Sequence, residues 1–475
     1  MSRRRIFGWL RSSAAALLCL SLAGCGGLAA PAAVGEAARE AVKPVKPGSV
    51  TYADPTGQLT IYSPAGPLDL TNPFFQSLGS NGRTCASCHV PATAFTITPS
   101  EVQARFNATT PAGTDPIFRP VDGTVSPEAD VSTEAARRTA YAMLLQKGLI
   151  RVGIGIPANA EFALTAVDDP YGFASAAQLS LFRRPPPSTN LRFLSTVMWD
   201  GRETFPGEDL TFDLGDQVIG ATLGHAQGQA APTDAQVQQI VAFELGTYTA
   251  QTYDNAAKDL TTPRQAVGGP QPLATQAFHL GINDVFGGDP TPGTPAFDPA
   301  VFHLYDGWAG GSGGGTDAAR NAVARGQALF NSRAIHITGV AGLNDALGQP
   351  DFVGTCSSCH DSPNAGSHSL AAPLDIGVAD GARRTPDLPL YTLTNLATGQ
   401  SVTTTDPGRA LITGKWVDIG KFKGPTLRAL AARPPYFHNG SAATLADVVA
   451  FYDQRFGIGL SAGDQSDLVA FLGSL

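Results

Sequence analysis

The chain has 475 residues, a formal net charge of -8, 15% charged residues, 53 glycines and 36 prolines. That length suffices for two or more cores, and an acidic balance without a long basic run argues against nucleic acid as a partner. The composition fits a globular protein with long ordered loops and excludes a disordered one.

The first residues read as an export signal. Arg3, Arg4 and Arg5 precede an apolar run, Ala14–Leu22, that is too short for a stable membrane span. The run ends in Leu22-Ala23-Gly24-Cys25, which resembles a bacterial lipobox. On this reading residues 1–24 form a lipoprotein-type signal peptide and Cys25 becomes lipidated. Residues 25–48 then serve as an Ala- and Pro-rich tether. The expected location is the periplasm, anchored to the outer membrane by that lipid and by nothing else.

Residues 49–308 are expected to form an N-terminal haem domain with long loop-rich insertions. It opens on "TCASCHVP" (Thr84–Pro91). Helical periodicity is expected at Ser100–Phe106, Ser132–Lys147, Thr233–Leu245 and Pro272–Val285. "AGGSGGGT" (residues 309–316) reads as a flexible linker, and 317–475 as a compact C-terminal cytochrome c domain. In that domain Asp317–Phe330 reads as its first helix, followed by "TCSSCHDS" (Thr355–Ser362). Thr444-Leu-Ala-Asp447 and Ser461-Ala-Gly-Asp464 carry capping-box spacing before two apolar helical patterns. The expected fold class is mostly α, with two cytochrome c-like haem domains.

Cys-x-x-Cys-His is the attachment pattern of c-type haem: two thiols take the porphyrin's vinyl groups and the adjacent imidazole takes the iron. Zinc ribbons separate their cysteine pairs by about 15–20 residues, whereas Cys85 and Cys356 stand 271 positions apart. A thiol redox pair has no need of the following histidine. Six cysteines are all accounted for: Cys19 leaves with the signal, Cys25 takes lipid, and four sit in the motifs. Cys85, Cys88 and His89 therefore hold haem one, and Cys356, Cys359 and His360 hold haem two.

Three features together resemble the bacterial di-haem cytochrome c peroxidase and MauG family: the two haem motifs, "MWDGRET" (Met198–Thr204) and "FKGPTLRALAARPPYFHNGSAATLADVVAFYD" (Phe422–Asp453). The resemblance leaves out Thr98–Ser180 and Gly228–Gly315. It implies a peroxide site at one haem and an electron relay at the other, with Trp199 between them and Asp200, Gly201 and Arg202 completing its motif. Family peroxidases place a Met 14 residues after the Tyr-Phe-His histidine and MauG-type members a Tyr; here that position is Tyr452, after His438. Tyr452 is thus the implied outer ligand of haem two, and His368 is its rival. On the distal side of haem one, Gln217 matches the family's Gln. Ala221 stands where it has Pro, and Gln227 where it has Glu. Gln227 cannot move protons; His225 can, or it can cap the iron instead. Glu203 is a weaker candidate acid. Some family members bind calcium through an Asn 15 residues before the motif Trp. Arg184 stands there, so calcium is not expected. Arg183, Arg184, Arg192 and Arg202 are candidates for pairing with haem propionates.

The leading expectation is hydrogen peroxide reduction with electrons from a small donor protein, a cytochrome c or a cupredoxin. The competing ones are a MauG-like peroxide-dependent oxidase and a non-catalytic di-haem electron carrier.

Overall fold

The computed structural model describes residues 48–475, so the export signal, Cys19, Cys25 and nearly all of the tether lie outside the described residues. The chain begins with a hairpin of β1 (Ser49–Asp54) and β2 (Gly57–Tyr62). After the first haem motif come α1 (Pro99–Ala108), α2 (Glu134–Ala140) and α3 (Ala142–Lys147), then β3 (Ile150–Ile154), β4 (Phe162–Asp168) and β5 (Leu179–Arg183). Next are α4 (Leu210–Gly224), α5 (Asp234–Leu245), β6 (Tyr248–Asp254), β7 (Lys258–Asp259) and α6 (Pro270–Thr275). The C-terminal part contains α7 (Thr316–Ser332), β8 (Ile335–Thr338), α8 (Asn344–Leu347), β9 (Asp351–Gly354), β10 (Leu390–Asn395) and β11 (Ser401–Thr404). It closes with α9 (Ala410–Thr413), α10 (Leu445–Phe456) and α11 (Ala462–Gly473).

The expected mostly-α class is not what forms. Helix accounts for 31% and strand for 16%, with sheets ordered β1-β2-β6-β7, β11-β10-β4, β3-β5 and β8-β9. The reason lies in segments read as loop. "FALTAVD" and "LYTLTN" are rich in Thr, Val, Leu and Phe, which suit a pleated, half-buried surface. They pair antiparallel as β4 and β10 across 222 residues or more, from Asn395 with Phe162 to Leu390 with Asp168. That sheet takes strands from both sides of the Gly-rich segment, and residues 48–475 belong to one compact unit. Among the described residues no helix is long and apolar enough to cross a membrane.

Helical expectations fared unevenly. Thr233 caps α5, and Thr444 and Ser461 cap α10 and α11 through capping boxes. The segment Ser132–Lys147 is two helices, α2 and α3, meeting at Tyr141. Pro272–Val285 is helical only to Thr275, since the chain turns extended at Gln276 (φ −63°, ψ 127°). The first and last helices of the C-terminal part cross closely. A Cβ on Gly326 of α7 would lie 2.0 Å from the Asp467 carbonyl oxygen of α11. Phe330 and Phe471 meet there at 5.7 Å between ring centres, over a core that also takes in Tyr305 and Trp308.

Candidate functional site

Both haem motifs fold alike. Cys85–Ser87 and Cys356–Ser358 are single 3-10 turns. In each, the serine Oγ accepts from the preceding threonine amide at 3.0 Å, which curls the two sulfurs and the histidine onto one side. His89 Nδ1 lies 3.0 Å from the Phe95 carbonyl and 3.0 Å from Ser188 Oγ; His360 Nδ1 lies 2.7 Å from the Gly366 carbonyl. A carbonyl at Nδ1 fixes the proton there and leaves Nε2 as the free donor, the usual arrangement of a ligating imidazole. Burial keeps both rings neutral, with His89 pulled down to about 4 and His360 also lowered. Burial pushes the Cys85, Cys356 and Cys359 thiols up to about 12 and Cys88 to about 11. Reactive redox cysteines are shifted the other way.

Each motif opens into a cavity. The first is lined by Cys85, Cys88 and His89; the second by Cys356, Cys359 and His360. In each, two thiols and an imidazole thus face one space, the set that attaches a c-type haem. Charge supplies the second test of fit. Arg184 and Lys423 line both cavities and Arg433 the second, all buried. Arg184 donates to the carbonyls of Ile97 at 2.6 Å, Arg433 at 2.7 Å and Pro435. Arg433 likewise donates only to carbonyls, those of Thr426 and Arg428. Burial draws Arg184 down to about 9, Lys423 to about 8 and Arg433 to about 10. Buried cations need an anion, and among the described residues no carboxylate forms an ion pair with these. The two propionates of a porphyrin are such anions, so the residues present fit a haem in each cavity.

Trp199 lines both cavities. Its Nε1 donates to the Arg184 carbonyl at 2.8 Å, and its own carbonyl accepts from the Lys423 amide at 2.9 Å. The residues after it are clamped. Asp200, fully buried, meets Arg183 Nη1 at 2.5 Å and Arg202 Nη1 at 3.2 Å. Gly201 has φ +68°, and a Cβ there would stand 2.9 Å from Arg409 Nη1 and from Thr196. Arg202 lines the first cavity. Arg183 also does, but it is held by Asp200 and Asp406, while Arg192 lines neither and donates to Tyr248 and Ala274.

Helix α4 forms another wall of the first cavity. Asp209 caps it, accepting from the Phe212 amide at 2.9 Å. Gln217, Ala221 and His225 share one face at four-residue steps and all line the cavity. Gln227 does not; its side chain accepts from Asn81 at 3.1 Å. Glu203 lies outside both linings, its carboxyl raised to about 7 by burial despite Arg202 nearby. In the second cavity Tyr452 lies with Leu445, Val448 and Val449, and burial, with Cys359 and Cys356 beside it, raises its phenol. His368 is not the surface residue expected of a loop histidine. It is 2% exposed, pairs with Asp361 at 3.0 Å and lies outside the second cavity's lining.

The charged lining residues that escaped the sequence reading include Asp122, Arg83, Glu244 and Lys423. Asp122 binds His225 Nδ1 and forms an ion pair with Arg83 at 2.5 Å. Glu244 is buried, which pushes its carboxyl up to about 8. None belongs to a motif except Lys423, which sits in the quoted C-terminal stretch.

No family model matches the chain. It is 34% identical over 132 residues to cytochrome-c peroxidase IdrP2 of Denitromonas iodatirespirans, covering 26% of this chain and 36% of that one. It is 29% identical over 191 residues to cytochrome-c peroxidase IdrP1 of Pseudomonas sp. (strain SCT), covering 36% and 43% respectively. The matches thus span well under half the length of these relatives. A solved MauG-like protein associated with microbial copper homeostasis superposes over 85% of this chain with 16% identity and a TM-score of 0.38, too low to carry an argument. Over these stretches the chain is similar to cytochrome-c peroxidases, in keeping with its resemblance to the di-haem cytochrome c peroxidase and MauG family.

Proposed function

We propose that this protein reduces hydrogen peroxide to water, taking electrons one at a time from a small donor protein such as a cytochrome c or cupredoxin. The observation that carries the reading is Trp199, which lines both cavities and is held by hydrogen bonds at its ring and its carbonyl. An indole in a shared wall gives electrons a stepping point from the second cavity to the first. Haem bound at His89 and His360 would supply the peroxide-reducing iron and an electron store. The chain's own residues do the rest. Ser188 and the Phe95 carbonyl orient His89; Arg184, Lys423 and Arg433 offer charge to propionates; Gln217 and His225 face the peroxide side. The periplasm, with a lipid on Cys25, is the proposed location.

A second reading rests on Tyr452. A phenolate stabilises ferric iron and lowers its potential, where a thioether raises it. A tyrosine in the second cavity supports a MauG-like oxidase that turns peroxide's oxidising power on a protein or organic substrate. Hydrogen peroxide added to the purified holoprotein separates the readings. Peroxidase predicts a fast spectral response and turnover of a reduced small cytochrome c. Oxidase predicts a long-lived oxidised spectrum without that turnover. Two haems that do not respond refute both.

A further inference from the structure

We infer that Asp122 and His225 form a carboxylate-imidazole pair that moves protons for peroxide in the first cavity, with His225 as the catalytic residue and Asp122 as the residue that positions it. The inference rests on the peroxidase reading of that cavity.

The geometry is that of a held and reachable imidazole. His225 stands at the C-terminal end of α4, on the same face as Gln217 and Ala221. Its side chain is 41% exposed and lines the cavity that holds His89. Asp122, from the loop between α1 and α2, is 4% exposed and accepts from His225 Nδ1. That bond places the ring proton on Nδ1 and leaves Nε2 as the acceptor. Asp122 is itself fixed. Arg83 pairs with it at 2.5 Å and also donates to the carbonyls of Pro116 at 2.9 Å and Ile117 at 2.7 Å. The His225 carbonyl accepts from Asn81 at 2.8 Å and from Arg83 at 3.2 Å. Residues 81–83 immediately precede the first haem turn, so one short segment sets both the haem attachment and the imidazole. Gln227, where the resemblance expects a carboxylate, is turned away and has no proton to exchange.

The chemistry balances with one shuttled proton. Nε2 takes the proton from the inner oxygen of hydrogen peroxide and returns it to the outer oxygen. The O–O bond breaks, and the outer oxygen leaves with the bonding pair as water. The inner oxygen leaves as the second water after gaining two electrons from the reduced donor protein and two protons from solvent, which the exposed edge of His225 can reach. Asp122 keeps its charge throughout and steadies the imidazolium that forms in passing. Asp122 and Arg83 stand beside His225, and the other charged and titratable groups lining its cavity are His89, Arg183, Arg184, Arg202, Glu244 and Lys423, with the Cys85 and Cys88 thiols.

The test uses the holoprotein with His225→Gln and Asp122→Asn, followed by stopped-flow spectra with hydrogen peroxide and, separately, with cyanide. Cyanide association also requires a proton to be taken from a neutral acid, and it needs no electron. General acid-base catalysis contributes about 10²–10⁴-fold, so His225→Gln should slow both reactions by about 100-fold or more. Asp122→Asn should slow them less. Asp122→Glu, which keeps a carboxylate for Nδ1, should recover most of that loss. If Asp122→Asn fails to fold with Arg83 unpaired, His225→Gln and the cyanide rates decide alone. His225→Gln rates within two-fold of the parent overturn the inference and leave the peroxidase reading standing. Faster rates with a new open-site spectrum also overturn it, since His225 would then have been capping the iron. A parent that ignores peroxide but binds cyanide through His225 sinks the peroxidase reading and keeps the proton pair.

Discussion

Replacing Arg183 by Met tests whether the clamp behind Trp199 does what its geometry implies. Arg183 is 2% exposed, with Nη1 at 2.5 Å from Asp200 Oδ2 and Nε and Nη2 at 2.7 and 2.8 Å from the two oxygens of Asp406. One guanidinium therefore serves two buried carboxylates; Asp200 also meets Arg202 at 3.2 Å, and Asp406 accepts from the Gly408 amide at 2.8 Å with His438 Nε2 at 3.8 Å. Burial by itself would raise the Asp200 carboxyl, but Arg183 and then Arg202 hold it down at about 2. A depressed carboxyl contributes stability that is present above its unfolded value of about 3.9 and is lost as pH falls through the folded one. Removing one partner of a buried pair costs about 3–5 kcal/mol, although a well-packed apolar replacement of the whole cluster could be neutral. Arg183→Met should thus lose about 3–5 kcal/mol at pH 7. The deficit should narrow towards pH 5, because without the cation burial dominates and the Asp200 carboxyl favours its neutral form. Urea unfolding followed by tryptophan fluorescence at both pH values measures this. A loss below about 1 kcal/mol, the scale of an exposed pair, or a loss equal at both pH values would refute the reasoning.

Tyr452→Phe should change the absorption spectrum of the second haem and raise its midpoint potential; an unchanged spectrum removes Tyr452 as a ligand. Trp199→Phe should leave the first-cavity reaction with peroxide fast while slowing turnover of reduced donor at least ten-fold, and equal turnover would take Trp199 out of the electron path. Gly326→Ala should destabilise by about 1–3 kcal/mol through overpacking, since its Cβ would meet the Asp467 carbonyl at 2.0 Å. A thermal melt within a degree of the parent would show that α7 and α11 can separate at no cost.

What the sequence disclosed was local. The haem turns, the capped helices α5, α10 and α11 and the Trp199 motif each carry their signal within a few residues, because a 3-10 turn or a capping box closes over three or four positions. The strands were missed where their partners lie far away: β4 cannot be told from a loop without β10, and "FALTAVD" has no turn signal of its own. Asp122 was missed for the same reason, with its partner 103 positions along the chain. Arg184 shows the opposite case. Its charge made it a candidate for a haem propionate, yet only folding brings the Arg433 carbonyl, 249 positions on, against its guanidinium. His368 looked like a loop residue because nothing near it in sequence announces burial except Asp361, which is its partner.

The two cavities differ in what their polar groups can exchange. Trp199 gives its single N–H to the Arg184 carbonyl, and a backbone carbonyl cannot take a proton. An indole that passes an electron there keeps its proton. In the second cavity burial holds His438 at about 4 and so neutral, and it raises the Tyr436 and Tyr452 phenols. In the first cavity the half-exposed His225 has both a carboxylate partner and a route to water. On the proposed reading, electrons therefore cross the shared wall without protons, and protons enter only where peroxide is broken. That separation follows from three hydrogen-bond partners, at Trp199, His89 and His225.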